Sequence, residues 1–371
     1  KQYGFERIKA ADMIDSYNFE DRKLVEIVKA TYFNPKIVVI DETTTALSQE
    51  GREELYKHME RIRKSGNTVI FISHDLPEII EKSDTITILR DGVYIDTVKS
   101  KDVNENDLKK LMVGREVTGD YYRSDYGEKV SDEVVLSVKD VTVPGLIENV
   151  SFDLHKGEIL GFGGLSESGM HEIGKAIFGA SYDREGTVEL ADGTQINDIP
   201  TAIKHSIAYT SKDRDNESVV LNQSIGDNIC LPSLDELSGP AHLISDKKKK
   251  DFANKFAKQM SVKMVDVNQF VSNLSGGNKQ KVVLARWIGK DSDIVVLDSP
   301  TRGIDIKVKQ DIYQLMNQMR KNGKSIIMIS EELMELIGMC DRIMIMKDGK
   351  ISGELERDQN LDENGLITMM V

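Results

Sequence analysis

The chain has 371 residues, of which 39% are hydrophobic and 30% charged, and its formal net charge is −13. That length allows two or more domains with cores of their own, and the acidic balance argues against a nucleic-acid partner, since gripping a phosphate backbone needs a broad excess of Lys and Arg. There is no run of eighteen apolar residues, and Lys1-Gln2-Tyr3-Gly4 does not lead from a basic stretch into an apolar core, so neither a membrane-spanning helix nor a secretion signal is visible. Cys230 and Cys340 lie far apart and show no metal-ligand spacing. Together these features suit a reducing, cytosolic setting.

In chain order, Ile37 to Ile40, Thr68 to Ile72 and Thr85 to Leu89 are short β-branched runs, and a helical pattern over Gln49 to Lys64 separates the first two. Strand, helix, strand predicts a parallel sheet with helices packed on it. Residues 116–133 are polar and without period, and are expected to form a linker. Beyond it come a strand around Val135 to Val141, the loop Gly164 to His171, a helical stretch from 246 to 288, and strands near 294, 326 and 343. The run Lys247 to Lys250 follows Ser245-Asp246 and reads as the solvated face of an N-capped helix. Trp287 shares an apolar helix face with Val283 and Leu284. Met316, Met319, Met328, Met334, Met339, Met344 and Met346 sit at core spacings and are expected to fill cores rather than a binding groove.

Shifting the chain by 257 residues aligns Lys36 to Gly92 with Asp293 to Gly349 without a gap, with 21 of 57 positions identical. Such self-similarity predicts two copies of one fold. Asp41 falls on Asp298, His74 on Glu331, and Asp91-Gly92 on Asp348-Gly349. The second copy reads as complete. The start of the first would lie roughly 120 residues before Lys1, by the equal-length logic of repeats, and the chain lacks an initiating Met, so an N-terminally truncated sequence is expected.

The most informative motif is Leu274-Ser275-Gly276-Gly277-Asn278, followed by a helix and then by Ile294-Val295-Val296-Leu297-Asp298. Glycines opening a helix leave backbone N–H groups aimed at an anion, such as the terminal phosphate of a nucleotide. The glycine turn, the helix, the strand ending in Asp298, the run Pro300-Thr301-Arg302-Gly303-Ile304-Asp305 and the next strand ending at Ser330 together resemble the ATP-binding cassette (ABC) family. The resemblance implies an α/β fold of P-loop NTPase-like cassettes. One would be partial (residues 1–115) and one complete (134–371), the latter with an antiparallel β subdomain, a helical signature subdomain and a degenerate phosphate loop.

The resemblance also implies roles. Asp41 would be the Mg²⁺-side carboxylate, Glu42 the general base for water, and His74 a contact to the γ-phosphate. Leu274 to Asn278, Gly164, Gly169 and Asp305 would be cofactor-binding positions. In the second copy Met170 stands for the phosphate-loop lysine and His171 for the Mg²⁺-binding hydroxyl of GxxxxGK[ST], Glu167 adds a negative charge, Ser299 follows Asp298 where Glu42 follows Asp41, and Lys212 stands where cassette ATPases often carry a glutamine. The first copy has Tyr17-Asn18-Phe19-Glu20-Asp21 where the second has its signature. In the family each nucleotide lies between the phosphate loop of one cassette and the signature of the other. One composite site, from Asp41, Glu42, His74 and Leu274 to Asn278, is therefore expected to hydrolyse ATP, and the other not.

This asymmetry resembles the tandem-cassette ATPases of bacterial sugar importers of the ribose, galactose and xylose type. It implies an energy-coupling subunit for a monosaccharide importer on the cytoplasmic face of the membrane, with ATP and Mg²⁺ as cofactors. Two transmembrane permease subunits and an external substrate-binding protein are the implied partners. Alternatives are a nucleoside importer of the same architecture, a soluble tandem cassette protein of ribosomes, and a regulatory module without turnover. The chain by itself is expected to be inactive.

Overall fold

A computed structural model of the chain describes residues 8–9, 11–17, 19–41, 43–47, 49–73, 75–90, 93–113, 121–125, 130–165, 167–239, 243–304, 306–358 and 361–370. The chain divides into two compact units, Lys1–Gly119 and Asp120–Val371.

In the first unit, α1 (Phe19–Thr31), β1 (Ile37–Asp41), α2 (Gln49–Lys64), β2 (Thr68–Ile72) and α3 (Leu76–Lys82) are followed by the hairpin of β3 (Thr85–Arg90) and β4 (Val93–Lys99) and by α4 (Glu105–Val113). The Asp91-Gly92 pair lies outside the described residues. β1 and β2 pair in parallel, Ile37 opposite Thr68 through Asp41 opposite Ile72. Alternation along β1 sends Val38 and Ile40 into a core with Leu24, Ile27, Leu55 and Met59. The opposite face carries Ile37 and Val39, each 59% exposed, with Ile70 and Ile72 beside them.

The second unit has an antiparallel sheet of β5 (Val134–Val143), β6 (Ile147–His155) and β8 (Glu185–Leu190), and a six-stranded sheet. The larger sheet runs β13 (Lys350–Glu356), β12 (Arg342–Lys347), β7 (Ile159–Gly164), β11 (Ser325–Ile329), β10 (Ile294–Asp298), β9 (Ile207–Thr210); only β13 pairs antiparallel. Every residue of β7, β10 and β11 is buried, as expected of parallel strands covered on both faces. One cover is α5 (Met170–Ile177). It lies so close that a Cβ on Gly174 would come within 3.0 Å of Ile329 and 3.3 Å of Val296. The face bearing Val39 in the first unit has no such cover among the described residues.

A helical layer follows: α6 (Ile199–Lys204), α7 (Ile225–Cys230), α8 (Leu234–Leu237), α9 (Asp246–Gln259) and α10 (Gly276–Lys290). The stretch 246–288, read from sequence as helical with a glycine turn at 274–278, consists of two helices, α9 and α10. Ser261 takes a left-handed φ of 51°, and residues 260–275 turn back before Ser275 starts α10. Ser245 occupies the N-cap of α9, but its side chain makes no capping bond. The unit closes with α11 (Ile306–Lys321), α12 (Leu333–Met339) and α13 (Glu363–Met370). Trp287 and most of the methionines are core residues. Met334 is the exception at 50% exposed, because it falls on the solvent side of α12. Both cysteines are buried and free, and burial pushes the Cys230 thiol up to about 11.

Part of the expected linker is anchored in the second unit. The Tyr122 ring covers Gly338 so closely that a Cβ there would meet it at 2.3 Å, and Tyr121 and Tyr122 both stack against Tyr313. Arg123, 5% exposed, donates to both oxygens of Asp125 at 3.0 Å, to Asp341 at 2.7 Å and to the Met339 carbonyl at 2.8 Å. Removing one partner of a buried ion pair leaves the other uncompensated. Arg320, also on Asp125 at 3.0 Å, cushions that loss. Arg123→Met should destabilise the second unit by about 3 kcal/mol in urea unfolding followed by Trp287 fluorescence. A loss below about 1 kcal/mol, the size of an exposed pair, would mean that the segment is not held by this cluster.

Candidate functional site

Parallel strands deliver their last residues to one edge of a sheet, and ligands of doubly wound folds bind there. In the second unit that edge holds Asp298 at the end of β10, Ser330 and Glu331 after β11, and the loop from Gly164 into α5. Gly164 and Gly169 are both needed by the loop. A Cβ on Gly164 would strike Ser168 Oγ at 2.3 Å, and Gly169 has a φ of +90° with the Leu146 carbonyl 2.7 Å from where a Cβ would sit. Met170, fully buried, points into the core rather than toward the edge, and Glu167 is exposed.

What fills this edge is a network of side chains. His171 Nδ1 lies 2.7 Å from Asp298 Oδ1, and its Nε2 lies 3.0 Å from Lys212 Nζ and 3.5 Å from Glu331 Oε1. Lys212 donates to Glu331 at 2.7 Å, and Ser299 Oγ donates to Asp298 at 3.2 Å. Asp298 is 1% exposed, and its Oδ1 takes both His171 and Ser299. Ser299, at the position of Glu42, sits in a left-handed φ of 49°. Asp298 Oδ2 is buried without a hydrogen-bond partner, but an ion there would meet Lys212 and a histidine raised toward its charged form, so the neighbours fit Mg²⁺ poorly.

The glycine turn stands apart from this network. Ser275 is the extended N-cap of α10, leaving the first-turn N–H groups of Gly276, Gly277 and Asn278 at an open helix start. Leu274 is buried and anchors the turn. The Asn278 side chain is turned inward, accepting from the Lys263 N–H at 2.7 Å and donating to Ser275 Oγ at 3.0 Å, so it braces the turn. Arg214 packs beside Gly276, and Lys279 pairs with Asp215 at 2.8 Å.

In the first unit Asp41 ends β1 and is exposed, in contrast to Asp298. Glu42, His74 and Asp305 lie outside the described residues. In the segment matching the signature, Phe19 opens α1 at the position where Gly276 opens α10, without the glycines; Asn18 lies outside the described residues.

The chain resembles known proteins along nearly all its length. It is 38% identical over 347 residues to the ribose import ATP-binding protein RbsA of Clostridium tetani, which covers 93% of this chain and 68% of that protein. It is 43% identical over 347 residues to the xylose import ATP-binding protein XylG of Thermoanaerobacter pseudethanolicus, covering 91% and 68%. The ABC transporter family model matches residues 147–302. The chain belongs to the ABC transporter ATP-binding protein family. Solved structures agree in fold. A bacterial ABC transporter cassette solved as a dimer covers 60% of the chain at a TM-score of 0.53 and 22% identity, and a nucleotide-free ABC cassette covers 64% at 0.54 and 17%.

In this ABC ATPase, the sequence marks His171, Lys212, Ser299 and Glu331 as departures from a pattern, and the structure joins them in one cluster around Asp298. Two buried carboxylates were missed: Glu78 and Glu335, which gather hydroxyls from the loops after the strands. The signal was present. Thr44, Tyr56, Ser73 and Glu78 are identical to Thr301, Tyr313, Ser330 and Glu335 under the 257-residue shift.

Burial opposes charging of His171, but its bonds to Asp298 and Glu331 outweigh burial and the repulsion of Lys212, so its pKa is raised above the ordinary value. A histidine raised on folding contributes stability that is complete below its unfolded pKa of about 6.5 and is lost as pH rises through the folded value. The second unit should therefore lose stability between pH 6 and pH 9 in Trp287-monitored urea unfolding, and His171→Gln should flatten that slope. An unchanged slope in the variant would assign the effect elsewhere.

Proposed function

We propose that this chain is the energy-coupling part of an importer for a monosaccharide, with the two units belonging to two cassettes of one tandem protein. The ribose and xylose import proteins among its relatives support the substrate class. The exposed apolar face of Ile37 and Val39, covered by α5 at the matching place in the second unit, supports reading the first unit as one part of a cassette.

The observation that carries the reading is the split between the units. The second keeps an open glycine helix start at Ser275 to Asn278 but fills its own strand-end edge with His171 and Lys212. The first has an exposed Asp41 followed by Glu42 in sequence, with His74 after the next strand. ATP would then be turned over at a composite of the first unit's carboxylates and the second unit's glycine turn. In that site Asp41 would hold Mg²⁺ through water, Glu42 would accept the proton of the attacking water, and His74 and the turn N–H groups would meet the γ-phosphate. Mg²⁺ when bound supplies charge neutralisation between the phosphate oxygens. Closure of the cassettes around ATP would drive two permease subunits at the cytoplasmic face of the membrane, fed by an external substrate-binding protein. Among the described residues no helix is long and apolar enough to cross a membrane, so the path for the sugar falls to those partners.

Glu42→Gln keeps the shape and removes the base. In the natural gene product assembled with its permeases, it should lower phosphate release by at least about 10²-fold. Unchanged turnover would overturn the assignment. The 371-residue chain alone, in which neither unit brings a lysine-bearing GxxxxGK[ST] loop, should show no measurable hydrolysis.

A further inference from the structure

We propose that Glu78 is a positioning residue for ATP turnover, a buried carboxylate that ties the segment following β1 to the segment following β2; this rests on the reading that places the chemistry in the first unit. Glu78 is 6% exposed. Its Oε2 accepts from Thr44 Oγ1 at 3.1 Å and from Ser73 Oγ at 2.7 Å, and its Oε1 accepts from the Tyr56 hydroxyl. Thr44 lies two residues after Glu42, and Ser73 immediately precedes His74. One carboxylate therefore takes hydroxyls from the turn after β1, from α2 and from the end of β2. Hydrogen bonds to an ionised group are short and directional, so the hub sets the spacing of the two loops more firmly than apolar packing would.

Two further ties stiffen it. Arg52 Nε donates to the Thr44 carbonyl at 3.2 Å. Ser73 Oγ accepts from the Asp75 N–H at 3.1 Å while Asp75 Oδ1 accepts from the Glu78 N–H at 3.1 Å, closing the turn from Ser73 to Glu78 on itself.

The second unit repeats the hub. Glu335, fully buried, accepts from Thr301 at 2.6 Å, Ser330 at 2.9 Å and Tyr313 at 2.5 Å. The four hub residues are the same in both copies, whereas the adjacent chemical positions differ, Glu42 against Ser299 and His74 against Glu331. The hub therefore belongs to loop geometry rather than to bond-making, and only in the first unit does that geometry carry chemistry.

This difference provides the control. In the natural gene product assembled with its permeases in lipid, Glu78→Gln should lower kcat about 10²-fold with the KM for ATP within two-fold, the scale of effect that a small misplacement of reacting groups produces. Glu335→Gln, which also loses a buried contact to Lys309 at 3.3 Å, should lower the melting temperature at least as far as Glu78→Gln and leave kcat within about three-fold. Should Glu78→Gln fail to fold, Thr44→Val should lower kcat and Thr44→Ser, which keeps the donor, should restore it. Equal losses of kcat in the Glu78 and Glu335 variants would show a purely structural role and overturn the proposal, as would full turnover by Glu78→Gln beside a dead Glu42→Gln. If Glu42→Gln itself turned over normally, the placement of the chemistry would fail, and the proposal with it, a result distinct from the other two.

Discussion

A carboxylate at the end of a buried parallel strand must find a counter-charge, and most of what distinguishes the two units follows from how each meets that demand. Transferring an isolated ionised carboxylate from water into a protein interior is prohibitively costly. Asp298 is buried to 1% exposure and meets the demand internally, with His171 at 2.7 Å and, one step beyond, Lys212 bridging to Glu331. Asp41, at the same place under the internal repeat, is exposed, and the positions matching Ser299 and Glu331 are Glu42 and His74.

The repeat separates what the fold requires from what the chemistry requires. Strand register is kept: β1 on β2 and β10 on β11 pair in parallel with matching partners, Asp41 on Ile72 and Asp298 on Ile329. The buried hubs around Glu78 and Glu335 are kept as well, since both units must join the loop after one strand to the loop after the next. What has changed lies between these fixed points. Met170 has turned from the edge into the core, His171 has become a partner of Asp298, and Ser299 has taken a left-handed turn that shortens the acidic edge by one carboxylate.

Much of the fold could be read from the residues because it is written in local pattern. The β-branched runs at Ile37 and Thr68 and the apolar periodicity from Gln49 to Lys64 fall on β1, β2 and α2, since each element buries a face that its own spacing defines. The rest depends on distant partners. Tyr121 to Asp125 has no period and reads as linker, yet Arg123 is fixed by Asp341, 218 positions away. The break between α9 and α10 hinges on the left-handed Ser261, a residue with no composition signal of a stop. Asn278 was legible as the end of a glycine motif but not as its brace, because its partner is a backbone N–H at Lys263. The pairing of His171 with Lys212 joins residues 41 apart, each visible only as a departure from a pattern.

Internal counter-ions also differ from ligands in how they respond to the cell. A bound ligand stabilises a site in proportion to the logarithm of its concentration, whereas a lysine and a histidine on the same chain are always present at the same effective level. The pairing at the second unit's edge is thus present without any ligand, and charging of His171, whose pKa is raised by Asp298 and Glu331 against burial, favours it. At that edge a phosphate would compete with Glu331 for Lys212, and a divalent ion would compete with His171 for Asp298 Oδ1, leaving only the buried Oδ2 uncontested. The glycine turn before α10 faces none of this competition, because its helix start lies outside the ion network and is braced separately by Asn278.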